Sequence, residues 1–433
     1  MPIRLNTRDA DFAARFTAFL ATKRETAEDI EQAVRAIIDE VAAKGDRALI
    51  ELTRKFDRVD LGKIGMKVSQ AEIAAGFNAV DPKTRSALEF TKERIETHHR
   101  HQLPEDLRYT DALGVELGHR WTPVESVGLY VPGGTAAYPS TVLMNAVPAR
   151  VAGVERLAMV VPSPDGKLSP LVLAAAKLAG VKEIYRIGGA QAIAALAYGT
   201  ETIAQVVKIV GPGNAYVAAA KRLVFGRVGI DSIAGPSEVL VLADSDANPD
   251  WIAADLLAQA EHDVAAQSIL VTTDPKLAEE VGRAVARQLQ SLPRADIAGA
   301  SWRDFGAVIL VRELNEALAL IDRLAPEHLE IMAADAERLA GRINNAGAIF
   351  IGANTPEAIA DYVSGSNHVL PTARTARYAS GLGVFDFMKR ISILKCGPAQ
   401  LERLGPAAIA LGRAEGLEGH ARSVEMRMKR DKQ

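Results

Sequence analysis

Cysteine is almost missing: Cys396 is the only one in 433 residues. A lone thiol cannot close a disulfide within the chain, which fits a reducing compartment. Aromatic residues are scarce as well, at 5%. The core must then be built from Ala, Val, Ile and Leu, the composition parallel α/β sheets prefer. Excess charge is lacking too, since 51 Lys and Arg stand against 54 Asp and Glu. That balance offers no basic field for nucleic acid or an anionic membrane. No run approaches the roughly 20 apolar residues a membrane span needs. The start, Met1-Pro-Ile-Arg-Leu-Asn-Thr-Arg8, lacks the apolar centre of a signal peptide. These gaps predict a soluble, cytoplasmic protein with no nucleic-acid partner and no membrane contact.

The chain is long enough for two or more domains. From Thr26 to about Phe56, apolar Ile30, Val34, Ile37, Ile38 and Val41 recur at helical spacing. Ser69-Gln-Ala-Glu72 has the form of a capping box. A further helix is expected from near Pro82 to about His101. From about Gly114 the texture changes to short β-rich runs alternating with Ala-rich helices. Strands are expected at Val127–Val131, Leu157–Val161, Glu183–Ile187, Val206–Val210, Val239–Leu242, Ile269–Val271, Val308–Val311 and Ala348–Ile351. Helices are expected between most of them, such as Ala190–Tyr198, Asn214–Val224 and Pro249–His262. That rhythm predicts βαβ units and parallel sheets.

The expected fold class is therefore α/β. It has two Rossmann-like parallel-sheet domains, incomplete and non-standard, with helical N-terminal and C-terminal appendages. Residues 1–25 would be an arm, and 26–129 with 236–381 one discontinuous domain. Residues 130–235 would be a second, inserted domain, and 382–433 a helical tail. After Pro371 no further strand is expected.

Three glycine turns lie between a strand and a helix: Val131-Pro-Gly-Gly-Thr135, Gly188-Gly189-Ala-Gln191 and Gly211-Pro-Gly-Asn214. Glycine there lets a phosphate approach backbone N–H groups at a helix start. None is a full dinucleotide fingerprint, because Tyr216 stands where a third glycine would. Asp231 follows Gly211 at the distance of a ribose-binding acid, yet lies beyond another helix and strand. Tight βα turns and a non-standard nucleotide site both fit.

Two stretches carry the acid–base and ligand groups. Gln259-Ala-Glu-His262 places a carboxamide and an imidazole three residues apart, on one face if helical. Asp361 and His368 bracket a Gly/Ser loop. Glu327-His328 follows Pro326, which suits a helix start, and His420 lies near the C-terminus. His98, His99 and His101 sit among charges and read as surface. A Gln, His, Asp, His set without thiolate resembles a catalytic zinc site more than a structural one, and would also accept Mn²⁺ or Co²⁺.

Together these segments resemble the histidinol dehydrogenase family. The resemblance runs nearly full length, through Tyr130-Val-Pro-Gly-Gly-Thr, Gly188-Gly-Ala-Gln-Ala-Ile, Lys208-Ile-Val-Gly-Pro-Gly-Asn214, Ala234-Gly-Pro-Ser-Glu238, Ala258-Gln-Ala-Glu-His262, Ala325-Pro-Glu-His-Leu-Glu330, Asn367-His-Val-Leu-Pro-Thr372 and Glu415-Gly-Leu-Glu-Gly-His420. It implies oxidation of L-histidinol to L-histidine with two NAD⁺, through an aldehyde that stays bound. It implies one Zn²⁺ per subunit on Gln259, His262, Asp361 and His420, with Glu327 and His328 as proton acceptors. Ser237, His328, His368 and Glu415 would touch substrate, as would the four zinc ligands. Tyr130, Gln191 and Asn214 would touch NAD, making the inserted domain the NAD-binding one. It further implies a homodimer in which Glu415 and His420 serve the neighbouring subunit's site.

Other readings remain. A related zinc/NAD dehydrogenase of a small sulfonated diol would share these motifs but need an extra cation, where Glu415 instead offers an amine partner. A zinc hydrolase using Glu327 would leave the glycine turns unexplained. A scaffold would have no use for acid–base groups near a metal set. Cys396 lies in none of the motifs, so an aldehyde held as a thiohemiacetal is disfavoured and a gem-diol route expected.

Overall fold

The computed structural model describes residues 2–22, 28–133, 137–233 and 235–428. Three expected features fall partly outside them: the helix start at Thr26, Gly134 and Thr135 of the first glycine turn, and Ala234. The described strands, numbered in chain order, form three sheets.

The first parallel sheet contains β4 (Ser126–Tyr130), β5 (Arg156–Val160), β6 (Glu183–Tyr185), β7 (Lys208–Val210) and β8 (Gly229–Ile230), ordered 6-5-4-7-8. The second contains β9 (Glu238–Ala243), β10 (Gln267–Thr272), β11 (Ala307–Leu310), β12 (His328–Met332) and β13 (Ala348–Ile351). Its order is 11-10-9-12-13, with β1 (Ile3–Asn6) added beside β11. Both sheets therefore start at an inner strand, grow outward by two, and cross back to the other side. In such sheets ligands typically bind outside the carboxyl ends of the strands, where the order reverses beside the first strand. Those points lie between β4 and β7, and between β9 and β12.

Strands such as Val239-Leu-Val-Leu-Ala243 are apolar on both faces because helices cover both faces. On the first sheet, helices 28–44, 189–198 and 215–224 pack on one side. Helices 70–79, 82–100, 139–151 and 170–178 pack on the other. On the second sheet, helices 12–21 and 314–324 face helices 249–260, 275–288 and 295–305. Fully burying each Val, Leu or Ile is worth about 1.5–3 kcal/mol.

Several expectations need correction. The single helix from Thr26 to Phe56 is two, Glu28–Lys44 and Asp46–Asp57, because Gly45 takes φ +54° between them. Those helices pack on the first sheet rather than the second, so the N-terminal helices belong with the glycine turns. Residues 3–6 are a sheet edge and not a free arm. The Ser69 capping box forms with both its bonds. Beyond Pro371 one more long strand exists, β14 (Met388–Lys395). It pairs antiparallel with β3 (Glu116–Pro123), which also pairs with β2 (Leu107–Thr110). Its alternation of Ile391 and Ile393 with polar residues is half-exposed and gives a weak signal. The tail is a hairpin of helices Pro398–Ala414 and Glu418–Met428. His99 is fully buried, its Nδ1 on the Ile95 carbonyl, and not a surface residue.

Candidate active site

The acid–base pair sits on a strand, not at the helix start that Pro326 suggested. His328 opens β12 and Glu327 immediately precedes it. Parallel pairing sets His328 beside Val239 and Ala348, so the chain is extended there. The pair therefore stands at the amino edge of the second sheet, where its strand order reverses.

The backbone of Glu238, the first residue of β9, holds both side chains. Its N–H donates to Glu327 Oε2 at 2.8 Å, and its carbonyl accepts from His328 Nδ1 at 2.9 Å. A carbonyl oxygen only accepts, so Nδ1 carries a hydrogen and Nε2 is the basic nitrogen of the neutral ring. That Nε2 is buried without a hydrogen-bond partner, 3.8 Å from Asp361 Oδ1. Phe350 stacks beside the ring, with centroids 5.9 Å apart. Burial pushes the imidazole below its ordinary value. Asp361 opposes this, while His262 and His368 reinforce it.

Three further elements converge here. Helix 249–260 ends at Ala260, so Gln259 is in its last turn and His262 lies just beyond it. The two are joined by a turn, His262 N–H to the Gln259 carbonyl at 3.2 Å, and do not share a helical face as their spacing suggested. Helix 357–362 supplies Glu357 and, one turn later, Asp361. The loop after it supplies His368, whose Nδ1 donates to the Asp361 carbonyl at 3.0 Å.

Glu357 was not singled out from sequence, yet it is only 2% exposed and central. With its amide nitrogen turned inward, Gln259 donates to Glu357 Oε2 at 3.0 Å and to Oε1 at 3.2 Å. Glu357 Oε2 also lies 3.7 Å from His328 Nδ1. Burial first, then Asp361, Glu330, Glu327 and Asp255, push its carboxyl well above the ordinary range. Behind it, Glu330 accepts the Glu357 N–H at 2.7 Å. Burial and the neighbouring Asp255 push Glu330 up to about 9. Glu330 Oε2 is buried without a hydrogen-bond partner, and burial with the nearby Asp255 favours the protonated form of Glu330. So many buried carboxyls in one place suit an added cation.

The first sheet presents its glycine turns at its carboxyl edge, around its own reversal point. Tyr130, the last residue of β4, accepts a hydrogen bond from Gly189 N at 3.1 Å. Burial pushes its phenol up to about 12. Gln191 is buried in the first turn of helix 189–198. Asn214 caps helix 215–224, accepting from Tyr216 N at 3.1 Å and Val217 N at 3.2 Å. Gly211 has φ +114°, and a Cβ there would run into the Tyr130 carbonyl oxygen. Asp231 is not a free ribose acid: it accepts from Gly211 N at 2.8 Å and pairs with buried Lys221, under the turn. Lys221 Nζ also donates to the Gly211 carbonyl at 3.1 Å.

One loop joins the two edges. His368 Nε2 lies 3.4 Å from Thr141 Oγ1, and Asn367 Nδ2 donates to the Met144 carbonyl at 2.7 Å. Thr141 and Met144 belong to helix 139–151, which follows the first glycine turn. That loop thus links the acid–base residues to the helix that follows the first glycine turn. Ser237 lies next to Glu238, and its carbonyl accepts from Gln267 N at 2.9 Å. Glu415 and His420 are the two site residues this chain does not bring in. Both are exposed on the C-terminal hairpin, Glu415 capping helix 398–414 and His420 in the next helix. Among the described residues no three His, Cys, Asp or Glu side chains form a metal cluster within the chain. Cys396 is exposed. No helix among the described residues is long and apolar enough to cross a membrane.

Known proteins resemble this chain over nearly its whole length. The family model described as histidinol dehydrogenase matches residues 20–428. Histidinol dehydrogenase from Bradyrhizobium diazoefficiens is 68% identical over 428 residues, covering 99% of each chain. That from Nitrobacter winogradskyi is 69% identical, covering 99% of this chain and all of its own. The crystal structure of histidinol dehydrogenase from Elizabethkingia anophelis superposes with a TM-score of 0.93 at 36% identity, covering 98% of both chains. The chain belongs to the histidinol dehydrogenase family, whose reaction is the last step of histidine biosynthesis.

Proposed function

We propose that this chain oxidises L-histidinol to L-histidine with two NAD⁺, as a zinc-dependent homodimer. The observation that carries the reading is His328: its Nδ1 is held by the Glu238 carbonyl, which leaves Nε2 buried, basic and unpartnered beside Asp361.

Gln259, His262 and Asp361 are the groups of one chain that would hold zinc, with His420 of the partner subunit as the fourth. One chain thus offers two nitrogen or carboxylate ligands and a carboxamide, short of a closed set. The donor chemistry fits, being oxygen and nitrogen without thiolate. Burial and mutual repulsion push the carboxyls around Glu357 toward their neutral form, and a bound cation would favour their ionised form and offset that repulsion. When bound, zinc would fix the substrate's amine and imidazole, and NAD⁺ would accept hydride.

His328 Nε2 would take the hydroxyl proton as hydride leaves the carbinol carbon. Glu327 would then deprotonate the water that adds to the aldehyde, giving a gem-diol. A second hydride leaves that carbon for a fresh NAD⁺, and the product is the carboxylate. His368 and Glu415 of the partner subunit would bind the substrate's polar groups, together with Ser237. Tyr130, Gln191 and Asn214 would line the NAD⁺ pocket at the carboxyl edge of the first sheet.

The test is metal analysis of the purified protein together with an NADH count on L-histidinol. Two NADH per histidinol and one zinc per chain support the reading. Turnover of a sulfonated diol in place of histidinol, or no NADH at all, overturns it.

A further inference from the structure

We propose that Glu357 is a positioning residue for the cation end of the site, orienting the Gln259 carboxamide and tying together the two elements that carry Gln259 and Asp361. This rests on the reading that Gln259 and Asp361 face a bound zinc ion.

A carboxamide has one edge that donates and one that accepts, and only the oxygen can ligate a cation. Free rotation would present the wrong atom about as often as the right one. At Gln259 the two edges are not equivalent. Its nitrogen faces both oxygens of Glu357, at 3.0 and 3.2 Å. Beside a bound cation Glu357 would be ionised, and the reverse orientation would then set Gln259 Oε1 against the same two oxygens, acceptor against acceptor. Glu357 therefore selects one orientation and leaves Oε1 on the opposite edge. Gln259 and Glu357 are 1% and 2% exposed, so water cannot substitute for either partner.

The same residue is anchored on its backbone side. Its N–H donates to Glu330 Oε1 at 2.7 Å, which pins the first turn of helix 357–362 to β12. Asp361 lies four residues on, over the same face of that short helix. A rigid Glu357 thus sets the Gln259 amide through its side chain and the Asp361 carboxylate through its helix. His328 shares β12 with Glu330, and Glu327 immediately precedes that strand. Outer partners of this kind typically change metal affinity 10–100-fold when removed.

The test measures zinc affinity of the full-length protein by competition with a chromogenic chelator, alongside melting of the metal-free protein. E357L removes the acceptor at nearly constant volume. It should weaken zinc 10–100-fold while the metal-free protein still melts cooperatively, lowered by no more than the loss of one buried hydrogen bond. E357Q retains one acceptor oxygen and should recover most of the affinity. Wild-type zinc binding by E357L overturns the proposal. So does E357Q falling as far as E357L, because charge rather than the hydrogen bond would then matter. If E357L fails to fold, E357A, which admits water, takes its place, and failure of both to fold assigns Glu357 a structural role instead. Wild-type protein that binds no zinc at all would sink the metal reading itself, a result distinct from any of these.

Discussion

His328 and Glu238 meet through a ring nitrogen and a backbone carbonyl, 2.9 Å apart. The contact assigns the histidine its tautomer, and the carbonyl belongs to a strand interior to the sheet, so it cannot drift. The same peptide segment donates to Glu327. Two acid–base groups are thus registered against each other by one residue of β9.

In the proposed mechanism their roles separate by half-reaction. Glu327→Gln should leave alcohol oxidation nearly intact and slow aldehyde oxidation, whereas His328→Asn should slow the first step. Each loss should be about 10²–10⁴-fold, the range for a general acid or base. Single-turnover measurements started from histidinol and from histidinal check this. Equal losses in both half-reactions for Glu327→Gln would refute the division.

Lys221 and Asp231 form a buried ion pair beneath the Gly211 turn, their side chains 2% and 4% exposed. Lys221→Met strands a buried carboxylate and should cost about 3–5 kcal/mol in chemical denaturation. Lys221→Met with Asp231→Leu should recover most of that stability. It should still raise the KM for NAD⁺, because Gly211 N loses its acceptor. A double variant with wild-type KM would show that the turn needs no such support.

The Asp255–Glu330 pair makes stability depend on pH. Glu330 is pushed up to about 9, chiefly by burial and then by Asp255. A carboxyl that holds its proton more tightly when folded stabilises the fold at low pH. That contribution is lost as pH climbs from the ordinary carboxyl value toward about 9. Glu330→Gln keeps a neutral group that still accepts from Glu357 N–H. Its Tm should therefore fall less than that of wild type between pH 6 and 9. Parallel Tm curves would contradict the protonated Glu330.

The proposed sharing of the site between subunits has a subunit-mixing signature. His262→Asn and His420→Asn homodimers should each lose activity. Coexpressed, half of the dimers are mixed and each mixed dimer has one site with both histidines intact. Roughly one quarter of wild-type activity should return. No recovery would place both histidines on the same chain's site.

Much was open to reading before any fold was known. Apolar runs such as Val239-Leu-Val-Leu-Ala243 announce strands covered on both faces, because nothing else tolerates such a run at that length. The three strand–glycine–helix turns mark the carboxyl edge of a parallel sheet, since glycine alone permits a φ like that of Gly211. Gln259, His262, Asp361 and His368 are visible as residue types that ligate or transfer protons.

Pairing and burial were decided only in three dimensions. Nothing in the sequence singles out Glu357, and its importance comes from Gln259, which is 98 residues away and reaches it only in the folded chain. His328 reads as a helix-start residue because Pro326 precedes it, until β9 and β13 draw the chain out as a strand. Asp231 has the spacing of a ribose acid, but Lys221 claims it from beneath. Local sequence specifies elements and chemistry; which atoms lose water together is set by non-local contacts, and that loss of water is what converts ordinary carboxyls and imidazoles into a site.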